Sequence, residues 1–599
     1  MKRSVQDVVW RLEDLYDGVE DPRLEEDLAW CKQEAAAFSD TYRGRVATLS
    51  PEDLLAAIRR FETLQERSRK LLSFSYLFFS TQTQDPRASA LWQAHLEFVS
   101  LLHRDTLFFE LEWNQLPEEK VQSTLGHPVL APYRHYLERI LRYKPHILTE
   151  PEERVLAEME PVAGSSWSNL FDKVLGNLKF GIEQRTESEV LSDLYHTSRE
   201  KRRQAALDLT EGLKGVLPIL GHIFNTVLLH KAITDRMRRF PHWLRSRNLD
   251  NEAEDEMVEA LVEAVASRYD LVQRYYRLKR EILGYEELLD YDRYAPIPGT
   301  PAVTFQWEEA QKVVLSAFDR FSPKMAEIAA LFFLKGWIHA PVLPGKRSGA
   351  FSHPTVPSCH PYVLLNFTGT HRDIMTLAHE LGHGVHQFLS RQQGLLNSDT
   401  PLTMAETASV FGEMLVFRHL LDQTVQPSEK LALLCSKLED IFATVFRQVS
   451  MNRFEDRVHN LRRSDGELDV ERISDWWITT QKDMFGDSVR LLSHYRTWWA
   501  YIPHFVHQPG YVYAYAFGEL LVLSLFRRYQ EIGTSFVPLY LDLLASGGKA
   551  SPARLLEPFQ INLMDPSFWH RGLDLIGEIL EEAETEAGKL RTTPLPGCS

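Results

Sequence analysis

Apolar residues recur at helical spacing along almost the whole of this 599-residue chain. Leu54, Ala57, Ile58, Phe61 and Leu64 fall at i, i+3, i+4, i+7 and i+10, the stripe by which an amphipathic helix buries one face. Residues 87–113, 205–233 and 253–283 have similar spacing, and good helix formers (Leu, Ala, Glu, Arg, Gln) dominate. No fixed repeat period stands out, so a stacked-repeat architecture is not expected. The pattern predicts helix over nearly all of the first 290 residues and again from 372 almost to 590. Stops are expected at Pro151, Pro218, Pro241 and the PIPGTP stretch, 296–301. Only 284–370 reads differently. It is turn-rich, and Val363, Leu364, Leu365 and Phe367 suggest one or two strands. The expected fold class is mainly α with one small β region.

Composition narrows the partners. Lys and Arg number 67 against 83 Asp and Glu, a net charge of −16. An acidic chain is poorly suited to nucleic acid or to an anionic membrane as main partner, since phosphate binding needs a basic surface. Cys31, Cys359, Cys435 and Cys598 lie far apart with no CxxC pair, which argues against a disulfide framework and a thiolate metal site. The basic start is not followed by an apolar run of signal-peptide length. The apolar-rich runs 71–79 and 520–526 fall short of the roughly 20 residues that span a bilayer. A reduced, soluble, cytoplasmic protein is expected.

The chemistry concentrates in TLAHELGHGVHQFL, residues 376–389. His379, Glu380 and His383 form HExxH. On a helix, residues four apart share a face, so both imidazoles can reach one Zn²⁺. Glu380, turned by about 100°, addresses a water on the metal instead. Leu377, Leu381, Val385 and Phe388 form a second, apolar stripe that seats the helix. LTMAETASVFGEMLVF (402–417) reads as the next helix, with Glu406 and Glu413 seven apart on nearly one face. Two carboxylates among Met404, Val410, Phe411 and Met414 are costly to bury without a metal or His partner. We take Glu406 as the third ligand and Glu413 as the acceptor that orients a ligating imidazole, an order that spacing alone does not fix. His386 reads as a polar lining residue, with a metal ligand or an outer donor as the alternatives. In IPHFVHQPGYVYAYAFGELL (502–521), His504, Tyr511, Tyr513 and Tyr515 are candidate donors to a developing oxyanion. PGKRSG (344–349) lacks the glycine and hydroxyl of a phosphate loop, and no GxSxG occurs.

These residues resemble a known family. LAHELGHGVHQFL, AETASVFGEML and HFVHQPGYVYAYAFGELL look like the M3 family of zinc metallopeptidases, in the oligoendopeptidase F branch. WRLEDLYDGVEDPRLEEDL (10–28) and GKRSGAF with HPYVLLNFTGT (345–370) extend the likeness over nearly the whole chain. The resemblance implies an elongated helical zincin bowl with a deep substrate channel and a small β-sheet near the metal site. It implies one Zn²⁺ per chain held by His379, His383 and Glu406, with Glu380 as general base and Glu413 in the outer shell. His504 and the tyrosines match groups that contact substrate, and short peptides are the expected substrates. His339 departs from the pattern, which has an acidic residue after GWI. The expected division is an N-terminal helical domain (1–200), a catalytic domain (201–590) and a loose tail (591–599). The 361–369 strand is a candidate partner for substrate backbone. The Gly345–Gly349 and Gly510 segments are candidate mobile loops.

Overall fold

The computed structural model describes residues 4–298 and 304–592. The PIPGTP stretch from 299 onward and the tail from 593, with Cys598, lie outside the described residues. The chain divides into two compact units, each assembled from three stretches rather than from consecutive blocks. One comprises Met1–Lys144, Ala302–Asp422 and Arg528–Ile561; the other comprises Pro145–Pro301, Gln423–Arg527 and Asn562–Ser599.

The first unit opens with helices Pro22–Tyr42, Pro51–Thr81 and Pro86–Thr106, which pack on one another. All three start the same way. Asp21, Ser50 and Asp85 accept a backbone N–H of the first turn, and a proline follows where its missing N–H costs nothing. The predicted stripe Leu54, Ala57, Ile58, Phe61 and Leu64 is the buried face, and several of its members meet Phe38, Phe109 and Trp113 in one core. Later in the same unit, helix Pro323–Lys335 ends on Gly336 in the left-handed region, where a glycine is least strained.

The chain then forms three short strands: β1 (Ile338–His339), β2 (Phe351–His353) and β3 (Tyr362–Leu364). Their order is β1-β3-β2, with β1 parallel and β2 antiparallel to β3. Val363 therefore faces Ile338 on one side and Ser352 on the other. This corrects the expectation for the 361–369 strand. As the middle strand, β3 has both edges committed and offers none to a substrate. The outer side of β1 is also engaged, since Ala340 N–H donates to the Val8 carbonyl at 2.9 Å. The loop after β1 is tied down. Lys346 Nζ donates to the carbonyls of Pro341, at 2.6 Å, and Leu365, and Thr83 N–H donates to the Gly345 carbonyl at 2.7 Å. His339 is buried in β1, and burial, with the charge of Lys346, holds its imidazole down at about 4.

The second unit is built around helix Arg199–Met237 and the helices Arg447–Asp465 and Val470–Phe485. Phe224, Phe454, Trp477, Trp498 and Phe505 share its core. The Asn225 amide clasps both backbone groups of Leu468, at 2.7 and 2.9 Å. Two expected stops are not stops. Pro151 occupies the first turn of helix Glu150–Met159, where proline is favoured. Pro218 lies inside Arg199–Met237 on its exposed face, where water can satisfy the carbonyl that proline frees. That helix is long and apolar enough to cross a membrane by length and composition, yet Leu209, Leu213, Ile223 and Leu228 on it are fully buried in this unit.

Candidate metal centre and catalytic site

The HExxH helix runs His371–Ser390 and starts in a capping box. Thr370 Oγ accepts from Asp373 N–H at 3.2 Å, while Asp373 accepts from Thr370 N–H at 2.9 Å. Ile374, Leu377, Leu381 and Val385 are fully buried, so the apolar stripe fixes the rotation of the helix. The opposite face then presents His379 and His383, half-buried, with ring centroids 4.8 Å apart.

The segment that brings the carboxylates differs from the expectation. Residues 402–417 do not form one helix. A turn of helix, Leu402–Ala405, ends at Glu406, and a second helix starts at Ser409. Glu406 therefore sits in a turn, and Glu413 lies on the helix that follows. The break has local support: Thr407 Oγ donates to the Met404 carbonyl at 2.7 Å, and Tyr540 Oη donates to the Thr407 carbonyl at 2.9 Å. Ser409 Oγ donates to Glu406 Oε2 at 2.6 Å and holds the carboxylate.

Glycine sets the distance between the two segments. A Cβ on Gly382 would lie 2.4 Å from the Ala408 carbonyl oxygen, and one on Gly412 would lie 3.1 Å from that of Ala378. Backbone thus packs against backbone beside the two histidines.

The result is a convergent donor set. Glu406 Oε2 lies 3.4 Å from His379 Nε2 and 3.5 Å from His383 Nε2. All three donor atoms fall within 4.8 Å of one another. Donors about 2.0–2.2 Å from a tetrahedral zinc lie roughly 3.3–3.5 Å apart, the spacing of Glu406 from each histidine, and three such donors would leave a fourth position open. Glu413 Oε1 is 2.5 Å from His379 Nδ1, which fixes the tautomer with Nε2 free to ligate. Electrostatics agree. Burial works against a charged His379, but the hydrogen bond and charge of Glu413, with Glu406 and Glu380, lift it to about 9. The carboxylates that hold a proton on His379 would also favour a divalent cation, which binds as that proton is released.

Glu380 is buried, and burial raises its carboxyl to about 7, with His379 and the Ser352 backbone amide pulling the other way. A carboxylate held near neutrality can take a proton and return it. β2 positions this helix: Ser352 Oγ donates to Gln387 Oε1 at 2.8 Å, and the Ser352 carbonyl accepts from Gln387 Nε2 at 3.3 Å. His386 is fully enclosed, and burial pushes it down to about 3.

The other candidates lie in the second unit. His504 Nε2 is 3.3 Å from Tyr515 Oη, and the rings of Tyr511 and Tyr515 meet edge to face at 5.1 Å. Burial lowers His504 from its ordinary value, as do the charges of Arg447 and His507. Tyr513 is a correction. The segment is helical from Tyr513, so Tyr515 is turned by about 200° from it and instead meets Tyr511 ring to ring. The Tyr513 side chain is 0% exposed, and its hydroxyl accepts from Asn251 Nδ2 at 2.8 Å, which leaves it no access to substrate. The Gly510 turn is anchored rather than free, since its N–H donates to Glu455 Oε1 at 2.9 Å.

Sequence reasoning passed over Ser409, Ser352, Gln387 and Gly382. Ser409, three residues after Glu406, had a readable spacing. Ser352 comes from a strand paired only in three dimensions and had no local signal.

Comparison with known proteins joins these observations. The family model of peptidase family M3 matches residues 194–575, and that of the oligopeptidase F N-terminal region matches 112–180. The oligopeptidase PepF of Bacillus subtilis is 26% identical, covering 96% of this chain and 86% of its own. An oligoendopeptidase F homolog of Borreliella burgdorferi is 24% identical, over 88% and 90%. Among solved structures, oligoendopeptidase-F from Enterococcus faecium superposes with a TM-score of 0.72 at 20% identity, over 95% of this chain and 99% of its own. Pz peptidase A does so with 0.73 at 16%, over 96% and 100%. With a family model spanning well over half the chain and the HExxH helix inside it, this protein belongs to peptidase family M3 and is a metalloendopeptidase of the oligoendopeptidase F kind.

Proposed function

We propose that the protein is a zinc-dependent endopeptidase that hydrolyses internal bonds of short peptides, with Glu380 as general base. The observation that carries this reading is the meeting of His379, His383 and Glu406 at ligand spacing with the buried Glu380 beside them. When bound, the zinc supplies Lewis acidity to the attacking water and to the scissile carbonyl. Glu380 accepts the proton of that water and delivers it to the leaving amine. Glu413 keeps His379 in the ligating tautomer, and Ser409 keeps Glu406 turned toward the histidines. His504, with Tyr511 and Tyr515, takes the substrate-contact role that the family resemblance gives it; Tyr513 drops out. Cys31, Cys359 and Cys435 are free, which suits a reducing, cytoplasmic setting.

The test is Glu380→Gln. The change keeps size and leaves all three ligands in place. Bound zinc, measured by elemental analysis, stays at one per chain while kcat falls by about 10²–10⁴-fold, the range of a lost general base. Full turnover in that variant would remove Glu380 from the mechanism. In the same assay, His504→Ala lowers kcat without loss of zinc.

A further inference from the structure

Beside the metal centre lies a cavity of about 230 Å³, enough for one side chain. Its lining runs from His383 and Ala405, the residue before Glu406, to Leu395, His386, Arg391 and Asp399. His383 and Arg391 are eight residues apart on or at the end of one helix, a rise of about 12 Å. Both residues line the one cavity, so it runs from a candidate metal ligand to Arg391.

The charges in this cavity are unequal in their partners. Asp399 is paired with Arg69 at 3.0 Å. Arg391 has no carboxylate partner among the described residues; burial and the neighbouring Cys359 are the influences on its charge. Its guanidinium lies 3.8 Å from the centroid of the Phe388 ring, and Nη1 donates to the Cys359 carbonyl at 2.9 Å. One of its five N–H donors is thus used, and the fork is held in place by the ring beneath it. A half-buried, immobilised and unpaired guanidinium is the geometry that binds a carboxylate with two parallel hydrogen bonds.

We propose that this cavity is a substrate subsite in which Arg391 binds a carboxylate carried within one or two residues of the scissile bond. The inference rests on the peptidase reading above and names the substrate class it favours: peptides with an acidic side chain there, or with a nearby free C-terminus. Both sources present the same group. Arg391 acts on binding, so its effect falls on KM more than on kcat.

The test uses the zinc-loaded protein and peptides of about ten residues, blocked at both ends, that differ only in Glu or Gln beside the cleaved bond. A second pair differs only in a free or amidated C-terminus two residues beyond the bond. The wild type is expected to prefer the carboxylate in kcat/KM by at least about tenfold at low salt. In Arg391→Met that ratio collapses toward one, and in Arg391→Lys it is intermediate. Collapse in the first pair assigns the side chain as the ligand; collapse in the second assigns the terminus. An equal ratio in wild type and Arg391→Met overturns the proposal. Should Arg391→Met fail to fold, the wild-type ratio is read against ionic strength. It shrinks with added salt if the site is ionic, and a constant ratio overturns the proposal. If no peptide is cut, the peptidase reading fails by itself. The subsite is then read from anisotropy of the labelled Glu and Gln peptides, and equal affinities overturn it.

Discussion

A single buried carboxyl shows how strongly environment reshapes a side chain here. Glu455 is wholly enclosed in the second unit, with one oxygen accepting from Gly510 N–H and the other without a hydrogen-bond partner among the described residues. Burial pushes it up to about 8 against the pull of that hydrogen bond and of Arg247. Its unfolded value is about 4.3. Between those values the native state keeps a proton that the unfolded chain has released, so stability falls as pH rises from roughly 4.3 to about 8 and is level above. The Glu455→Gln variant keeps the carbonyl acceptor and does not titrate. Its melting temperature should exceed the wild type's by a margin that widens from pH 5 to pH 8. Parallel curves across that window would place the charge elsewhere. None of this was legible in the sequence, where Glu455 is one acidic residue among 83 acidic side chains. The meeting of His379 and His383 was legible, because HExxH encodes its geometry in a spacing that any helix converts to a shared face. Tyr513 was misread for the complementary reason. Alternation in YVYAY suggests a common side only on an extended chain, and this segment turns helical there.

Elements rather than residues set how far Glu406 stands from His379 and His383. The sequence pattern gives a continuous helix through 402–417, yet the chain breaks at 406–408 and brings Glu406 to the histidines from a turn. Gly382 makes this possible, because the Ala408 carbonyl and the Ser409 Cα occupy the space where its Cβ would stand. Such a close approach depends on residues distant in sequence, which is why periodicity alone missed it. Gly382→Ala should force the segments apart at a cost of about 1–3 kcal/mol, the range for overpacking a tight contact. Zinc affinity should drop by roughly 10–100-fold, as for loss of a ligand-orienting group. An alanine variant with unchanged melting temperature and zinc affinity would show that this contact does not place Glu406. The small sheet was foreseen in location but not in order. Strand order depends on pairing partners, and only the structure shows that β3 is interior and that both β2 and β3 pack on the HExxH helix.

At the scale of the whole molecule, the prediction of a mainly helical chain held because apolar periodicity is a property of long segments and averages over local exceptions. The make-up of the two units does not follow the expected division at residue 200. Each gathers three separated stretches, and a linear reading has no measure of which distant helices share a core. His379, Glu380, His383, Glu406 and Glu413 all belong to one unit, while His504, Tyr511 and Tyr515 belong to the other. The central claim concerns the chain as an enzyme, and one assay addresses it most directly. The protein is incubated with an internally quenched peptide of about ten residues, blocked at both ends. The assay is run with a chelator, without it, and after zinc is restored, and mass spectrometry locates each cut. The account predicts cleavage at an internal bond, loss of cleavage with the chelator and recovery with zinc. Cleavage indifferent to the chelator, or no cleavage by protein carrying one zinc per chain, would contradict it.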